Sequence, residues 1–294
     1  MLARVGVIGV GAMGMGIARS AQRGGFEVHA RDVDPGRERL AREFNIQVHS
    51  SSKALAARVQ ACLIVVVDTA QIDDVLNAGD GLLAGLVPGT VVLLCSTIAP
   101  ADTARFAQAV AARGGLFVDA PISGGPARAQ AATMSMMLAG DAVVLERVRP
   151  LLESLSDKRF TIGRQPGDAA KAKLVNNLLA GIHLVASAEA MTLAARLGLD
   201  AQAMFDLIRV SSGQSWMFED RMQRALAGDF APRAQAHVIT KDLTLVNQAA
   251  AAVGVELALG RVARDLMQAT CEGGWRGEDD AAVLEYFRSR YMPG

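Results

Sequence analysis

The chain has 294 residues, 51% of them hydrophobic, which is enough for one or two domains with cores of their own. Thirty Lys and Arg balance thirty Asp and Glu, and aromatic residues make up only 4%, so neither the basic surface nor the aromatic–basic interleaving of a nucleic-acid binder is present. The three cysteines, Cys62, Cys95 and Cys271, lie far apart with no C-x-x-C and no Cys/His ligand spacing, which predicts buried thiols and no metal site.

The first strand is expected at once. Residues 4–8, "RVGVI", are short, apolar and β-branched. Gly9, Gly11 and Gly14 follow in the spacing G-x-G-x-x-G, and a helix is expected over residues 12–23 with Arg19, Gln22 and Arg23 on its polar face. Strand, glycine turn and helix form the setting in which this motif binds a dinucleotide. Gly9 permits the tight turn, Gly11 lets the backbone approach a pyrophosphate, and Gly14 lets helix and strand pack closely. The N–H groups at the helix start then face the phosphates. Gly9, Val10, Gly11, Ala12, Met13 and Gly14 are therefore cofactor-binding candidates. A second strand over residues 26–32 ends on Asp32, 18 residues after Gly14. A carboxylate there accepts a hydrogen bond from a ribose 2′-OH and repels a 2′-phosphate, which favours NAD over NADP. Arg31, Arg37 and Arg39 oppose that preference, and Asp32 in "RDVDPG" reads equally as a turn residue.

Strands and helices continue to alternate. Helices are expected near residues 37–44, 53–58, 72–77 and 101–113, and strands at 47–49, 62–67, 90–95, 116–120, 133–140 and 160–163. That order implies an α/β, doubly wound parallel sheet of Rossmann type. From residue 167 the period is helical throughout, beginning with an Ala-rich stretch over residues 171–198. The expected division is a Rossmann domain over residues 1–164 and an all-α domain over 165–294 for substrate and oligomerisation, joined by the long helix. The start of the first strand at residue 4 leaves no room for a secretory signal, and the longest apolar run, residues 63–67, is far too short to span a bilayer. A cytoplasmic protein without a membrane partner is expected.

In open α/β sheets ligands bind beyond the carboxyl ends of the strands. The loops that follow are "DTAQ" at residues 68–71, "STIAP" at 96–100 and "PISGG" at 121–125. "SGGPA" reads equally as a plain turn or as a nest of N–H groups for a carboxylate. On the long helix Lys173, Asn176 and Asn177 share one face. They read either as a solvated helix end or as a polar trio turned toward a ligand.

With these motifs in order, the sequence resembles the β-hydroxyacid dehydrogenase family over nearly its whole length. The carriers are "GVIGVGAMGMGIA", "STIAP", "DAPISGGPARA", "KLVNN" and "KDL" at residues 241–243. The resemblance implies an NAD-dependent enzyme that oxidises the hydroxyl of a small hydroxy acid and assembles as a homodimer or homotetramer. It implies that Lys173 is the catalytic lysine, with Asn177 beside it as a second catalytic residue. Ser123, Gly124, Gly125 and Asn176 are implied to bind substrate, Thr97 to contact the nicotinamide side of the cofactor, and Lys241 to close over it. The C-terminal half is similar to the L-threonate dehydrogenase branch in "SSGQSWMFEDRM", "GDFAP" and "GEDDAAVLEYF". Two departures stand out. Gly167 is followed by Asp168 and Ala169 where the family has G-x-G, and Asn176 stands where some threonate-type members have His.

A lysine suits the chemistry. Alcohol oxidation needs a base for the hydroxyl proton, and burial beside a positive nicotinamide lowers an ammonium pKa from its usual value of about 10.4. Two asparagines beside it favour a four-carbon sugar acid, because a methyl-bearing acid such as 3-hydroxyisobutyrate would leave buried amides without partners. A 6-phosphogluconate-type decarboxylating enzyme is disfavoured, since its acid seven positions past the lysine is Ala180 here. A non-catalytic dinucleotide-binding module is disfavoured by the presence of Lys173. 3-Hydroxyisobutyrate dehydrogenase and tartronate semialdehyde reductase remain alternatives. His183 and the methionines at 134, 136 and 137 are expected to pack, while Trp216 and His237 read both ways.

Overall fold

In the computed structural model, which describes residues 2–292, the apolar runs of the first half assemble into one nine-stranded sheet. Six strands pair in parallel in the order β3-β2-β1-β4-β5-β6: β1 (Arg4–Ile8), β2 (Glu27–Arg31), β3 (Gln47–Val48), β4 (Ala61–Ile64), β5 (Val91–Leu94) and β6 (Leu116–Asp119). Every residue of β4 and β5 is buried, as expected of strands covered on both faces. Their alternate side chains divide between two cores. Leu63 and Leu93 join Val5, Val7, Ile17 and Val148 on one face, while Cys62, Ile64, Val92 and Leu94 join Leu55, Ile72 and Phe106 on the other. The strand order reverses at β1, so the loop after β1 lies at the topological switch point.

Beyond β6 the sheet becomes mixed, which alternation of runs in the sequence does not encode. β7 (Ile122–Ser123) continues the line of β6, and both lie antiparallel along one edge of β8 (Ser135–Ala139). The register is continuous: Asp119 faces Ala139, Ile122 faces Met136 and Ser123 faces Ser135. β9 (Lys158–Gly163) pairs in parallel with the other edge of β8.

The first-half helices are α1 (Ala12–Arg23), α2 (Pro35–Glu43), α3 (Ser52–Ala56), α4 (Thr69–Asn77), α5 (Leu82–Gly85), α6 (Pro100–Ala111), α7 (Gly125–Ala131) and α8 (Ala142–Leu155). Their starts follow local chemistry. Asp34, Asp68 and Asp141 cap α2, α4 and α8, each accepting a hydrogen bond from a backbone N–H of the first turn. Pro35 and Pro100 open α2 and α6. α1 and α7 pack so closely that a Cβ on Gly16 would lie 2.9 Å from the Gln130 nitrogen.

By its contacts the chain divides within α9 (Asp168–Arg196), between Lys173 and Leu174. The second unit continues with α10 (Ala201–Ile208), α11 (Gln223–Leu226), α12 (Ala236–Ala252), α13 (Ala258–Thr270) and α14 (Val283–Tyr291). Among the described residues, none beyond Gly163 lies in a strand element. Its core gathers Leu184, Phe205, Phe218, Leu243, Met267 and Phe287, and a Cβ on Gly181 would lie 2.7 Å from Leu243. A buried ion pair sits in the same unit: Arg221 donates to Asp280 through Nε at 2.6 Å and Nη2 at 3.2 Å. Burial pushes the Asp280 carboxyl up to about 6 despite that partner. Among the described residues α9 alone is long and apolar enough to cross a bilayer, but the core helix of a globular protein satisfies the same two criteria.

Candidate active site

The β1–α1 turn places the glycines in different surroundings. Gly9 has a φ of +87°, and a Cβ there would lie 2.4 Å from the Val65 carbonyl oxygen. A Cβ on Gly14 would lie 1.8 Å from the Gly9 oxygen, so the first turn of α1 rests on the backbone of the turn itself. Nothing comes within 4 Å of a Cβ on Gly11. Gly11 offers no side-chain cap to α1, and the first turn of α1 carries no acidic residue. Ala12 and Met13 open this helix, so their N–H groups and the helix dipole are available to an anion. Asp32 pins the turn from beyond the end of β2: its Oδ2 accepts from the Val10 N–H at 2.7 Å, and its Oδ1 from the Asp34 N–H at 2.9 Å. Each oxygen keeps a second acceptor direction.

The other first-unit candidates also lie at or just after the carboxyl ends of strands. Ser96 and Thr97 follow β5, and Ser96 Oγ accepts from the Val66 N–H at 3.2 Å. Thr97 is half-buried. Ser123 ends β7, and Gly124 and Gly125 follow with φ of +132° and +76°. Backbone in that region favours glycine. Gly125 is open, with nothing within 4 Å of its would-be Cβ, so the backbone of this loop is accessible.

Asp119 is a residue that the sequence reading passed over, although it stands in "DAPISGG". It ends β6 and is 1% exposed. Its Oδ2 accepts from the Gly167 N–H at 2.9 Å and the Ala170 N–H at 3.0 Å. It thereby caps α9 from another element, one turn ahead of Lys173. Burial raises its carboxyl to about 6, against the lowering effect of those backbone bonds. Gly167 adds a second anchor: its φ is +101°, and a Cβ there would lie 2.9 Å from the Pro100 oxygen. Asp168, the departure from the family pattern, accepts from the Gln165 N–H at 3.1 Å and from Lys171 Nζ at 2.9 Å. The altered residue therefore keeps a defined helix entry. Lys173 is 7% exposed, which disfavours its reading as a solvated helix end.

In the second unit Asn176, Asn177 and Lys241 meet through Asp242, the other acid passed over, in "KDL". Asn177 Nδ2 donates to Asp242 Oδ2 at 2.7 Å, and Asn176 Nδ2 donates to Asn177 Oδ1 at 3.0 Å. Lys241 Nζ lies 2.7 Å from Asp242 Oδ1. Asp242 is 5% exposed, so this charge is buried with its partners in place. The pairing of Asn177 changes the substrate argument, because a methyl-bearing acid would not leave that amide without a partner.

The remaining candidates fall outside these clusters. His183 is exposed rather than packed. His237 Nδ1 lies 3.2 Å from the Arg276 carbonyl. Trp216 is half-buried, with the Arg221 guanidinium 5.5 Å from its ring. Met134 and Met136 are core residues. Cys62, Cys95 and Cys271 are buried thiols, and burial pushes Cys95 up to about 12.

A profile of the NAD binding domain of 6-phosphogluconate dehydrogenase matches residues 4–163, and one described as NAD-binding of NADP-dependent 3-hydroxyisobutyrate dehydrogenase matches residues 167–287. The chain is 37% identical to L-threonate dehydrogenase of Escherichia coli K12 over 291 residues, covering 99% of this chain and 96% of that protein. It is 33% identical to NAD-dependent L-serine dehydrogenase of Pseudomonas aeruginosa, covering 97% of each. The crystal structure of 3-hydroxyisobutyrate dehydrogenase from Salmonella typhimurium matches with a TM-score of 0.91 at 36% identity, over 97% of this chain and 99% of that one.

Proposed function

Since this chain belongs to the β-hydroxyacid dehydrogenase family and is an NAD-dependent oxidoreductase, we propose that its substrate is L-threonate or a closely related four-carbon sugar acid. The observation that carries the substrate is the 37% identity to L-threonate dehydrogenase along almost the entire chain. The chemistry rests on the buried Lys173, whose helix is capped by a buried carboxylate at the sheet end.

The turn fits the cofactor, because Gly11 leaves open the space that a pyrophosphate needs and α1 lacks a side-chain cap. NAD, when bound, would supply the acceptor for the hydride that leaves the substrate carbon. In this reading Gly9, Val10, Gly11, Ala12, Met13 and Gly14 form the turn that holds the pyrophosphate, with the N–H groups at the start of α1 as donors, since those of Gly9 and Val10 donate to the Arg31 carbonyl and to Asp32. Asp32 accepts from the ribose hydroxyls, Thr97 lies on the nicotinamide side, and Lys241 closes over the cofactor. Ser123, Gly124 and Gly125 hold the substrate carboxylate, with backbone that only glycine adopts without strain at two successive positions. Lys173 takes the hydroxyl proton during oxidation and returns it during reduction. Asn176 orients the substrate, and Asn177 keeps Asn176 in place from its own bond to Asp242.

A substrate panel with NAD, followed by NADH absorbance, tests the assignment. L-threonate is expected to exceed 3-hydroxyisobutyrate by roughly tenfold or more in kcat/KM; a preference for the branched acid overturns it. 3-Hydroxyisobutyrate is the second reading, favoured by the name and close superposition of the Salmonella structure. Glycerate, the alcohol whose oxidation yields tartronate semialdehyde, completes the panel. We further read the enzyme as cytoplasmic and as a homodimer or homotetramer assembled through its helical unit, where apolar side chains of α9 such as Val175, Leu179 and Leu193 are exposed.

A further inference from the structure

Asp32 is not the only acid that bears on the cofactor's ribose. Glu38 stands in the first turn of α2, and its side chain is only 13% exposed. Its Oε1 accepts from Arg31 Nη1 at 2.6 Å and lies 3.3 Å from the Asp32 N–H. Its Oε2 lies 3.5 Å from Arg42 Nη2. The same Arg31 nitrogen donates to the Asp32 carbonyl. Arg31 thus adjoins Asp32, and its Nη1 is shared by two acceptors, Glu38 and the Asp32 carbonyl. Asp32 is equally fixed, since the Val10 and Asp34 N–H groups hold its two oxygens.

This arrangement bears on which nucleotide the end of β2 accepts. A 2′-phosphate brings nearly two negative charges and three acceptor oxygens, and a guanidinium fork is its best partner. Left to itself, Arg31 would supply that fork beside Asp32 and offset its repulsion. We propose that Glu38 is a cofactor-specificity residue: by engaging Arg31 it withholds the guanidinium from a 2′-phosphate and so sets the preference for NAD over NADP together with Asp32. Arg37, whose Nε is 4.0 Å from Asp34 Oδ2, and the exposed Arg39 are the other cations of this turn, and Arg42 shares Glu38. The test must separate Arg31 from these three.

The inference rests on the reading of Asp32 as the ribose contact, and calorimetric titration of the unaltered protein with NAD+ checks that reading separately. Failure of NAD+ to bind would count against the ribose site and not against Glu38 in particular. Titrations with NAD+ and NADP+ are then made on Glu38→Gln, Arg31→Met and the double variant. Glu38→Gln is near isosteric and keeps an oxygen for the Asp32 N–H, but it removes the charge that holds Arg31. It is expected to tighten NADP+ roughly tenfold, the worth of one released charge-assisted contact, and to change NAD+ by less than about twofold. The gain is expected to vanish in the double variant. Arg31→Met alone is expected to leave NADP+ affinity within about twofold of the parent, because Arg31 is already engaged. Three results overturn the proposal: an unchanged NADP+/NAD+ ratio in Glu38→Gln, a gain that survives loss of Arg31, or weakened NADP+ binding in Arg31→Met alone. Should Glu38→Gln melt early, Glu38→Asp, which falls short of Arg31, is expected to shift the ratio in the same direction by a smaller factor; an unshifted ratio there counts equally against it.

Discussion

Gly11 and Gly14 stand three residues apart in one motif and meet opposite surroundings. A methyl on Gly14 would fall 1.8 Å from the Gly9 oxygen, a backbone atom that cannot step aside without moving the turn. Gly14→Ala is expected to cost about 2 kcal/mol or more in denaturant unfolding and to abolish NAD binding. A methyl on Gly11 meets nothing within 4 Å. Gly11→Ala is expected to unfold as the parent does yet bind NAD at least tenfold more weakly, because the space it fills is the one a pyrophosphate needs. Equal calorimetric affinity in Gly11→Ala would remove that reading of the turn. Lys173 is separable in the same manner. Lys173→Ala is expected to lose about 10²- to 10⁴-fold in kcat while NAD binds as before. Surviving turnover would move the proton transfer to another group.

At the scale of elements, the entry to α9 is capped by a carboxyl from a distant strand. Asp119 accepts from the Gly167 and Ala170 N–H groups through Oδ2, and burial raises its pKa to about 6 from an ordinary value of 3.8. A raised carboxyl pKa means that the folded state binds the proton more tightly than the unfolded chain. Stability from this group therefore falls as pH rises through the window from about 4 to about 6, and stays low above it. A protonated carboxyl or an amide can still accept both N–H bonds through one oxygen. Asp119→Asn is accordingly expected to gain in melting temperature relative to the parent as pH rises across that window. The difference should level off above pH 7, at a size on the order of 2 kcal/mol. A difference that stays flat with pH would show that the carboxyl is not the titrating group. α9 also shows where sequence reading stops. Its length and helical period are plain in the sequence, but the residue that caps it lies 48 positions before Gly167.

For the whole molecule, the informative feature is how much apolar side chain the helical unit leaves exposed. Leu193, Leu197, Leu199 and Leu207 are each about half exposed or more, and a tyrosine, Tyr291, is exposed on α14. Glu189, Leu193, Arg196, Phe287 and Tyr291 line a depression of about 540 Å³ in the same unit. Light scattering on the purified protein is expected to give a dimer or tetramer. Leu193→Glu with Leu197→Glu is expected to shift it toward monomer, since burying two new charges would cost more than the apolar contact contributes. A monomeric parent would refute the assembly.

The sequence by itself determined what depends on near neighbours. Residues 4–8 and 12–23 are predicted as strand and helix and fold as β1 and α1 with those bounds, because period and β-branching act within a few residues. The glycine spacing, the carboxyl-end loops, the change to helical period after residue 163 and the ordered family motifs are legible for the same reason. Only the tertiary structure decided the features that join distant positions. The register that lays β6 and β7 along one edge of β8 brings Ser123 opposite Ser135 across a turn and a helix. Asn177 and Asp242 meet across 65 positions, and Arg31 and Glu38 across the β2–α2 turn. A buried carboxylate must find its donors wherever the fold places them. No local pattern marks which acid that will be, so Asp119, Asp242 and Glu38 read in the sequence as ordinary charges and became partners of the candidate site only when the chain was folded.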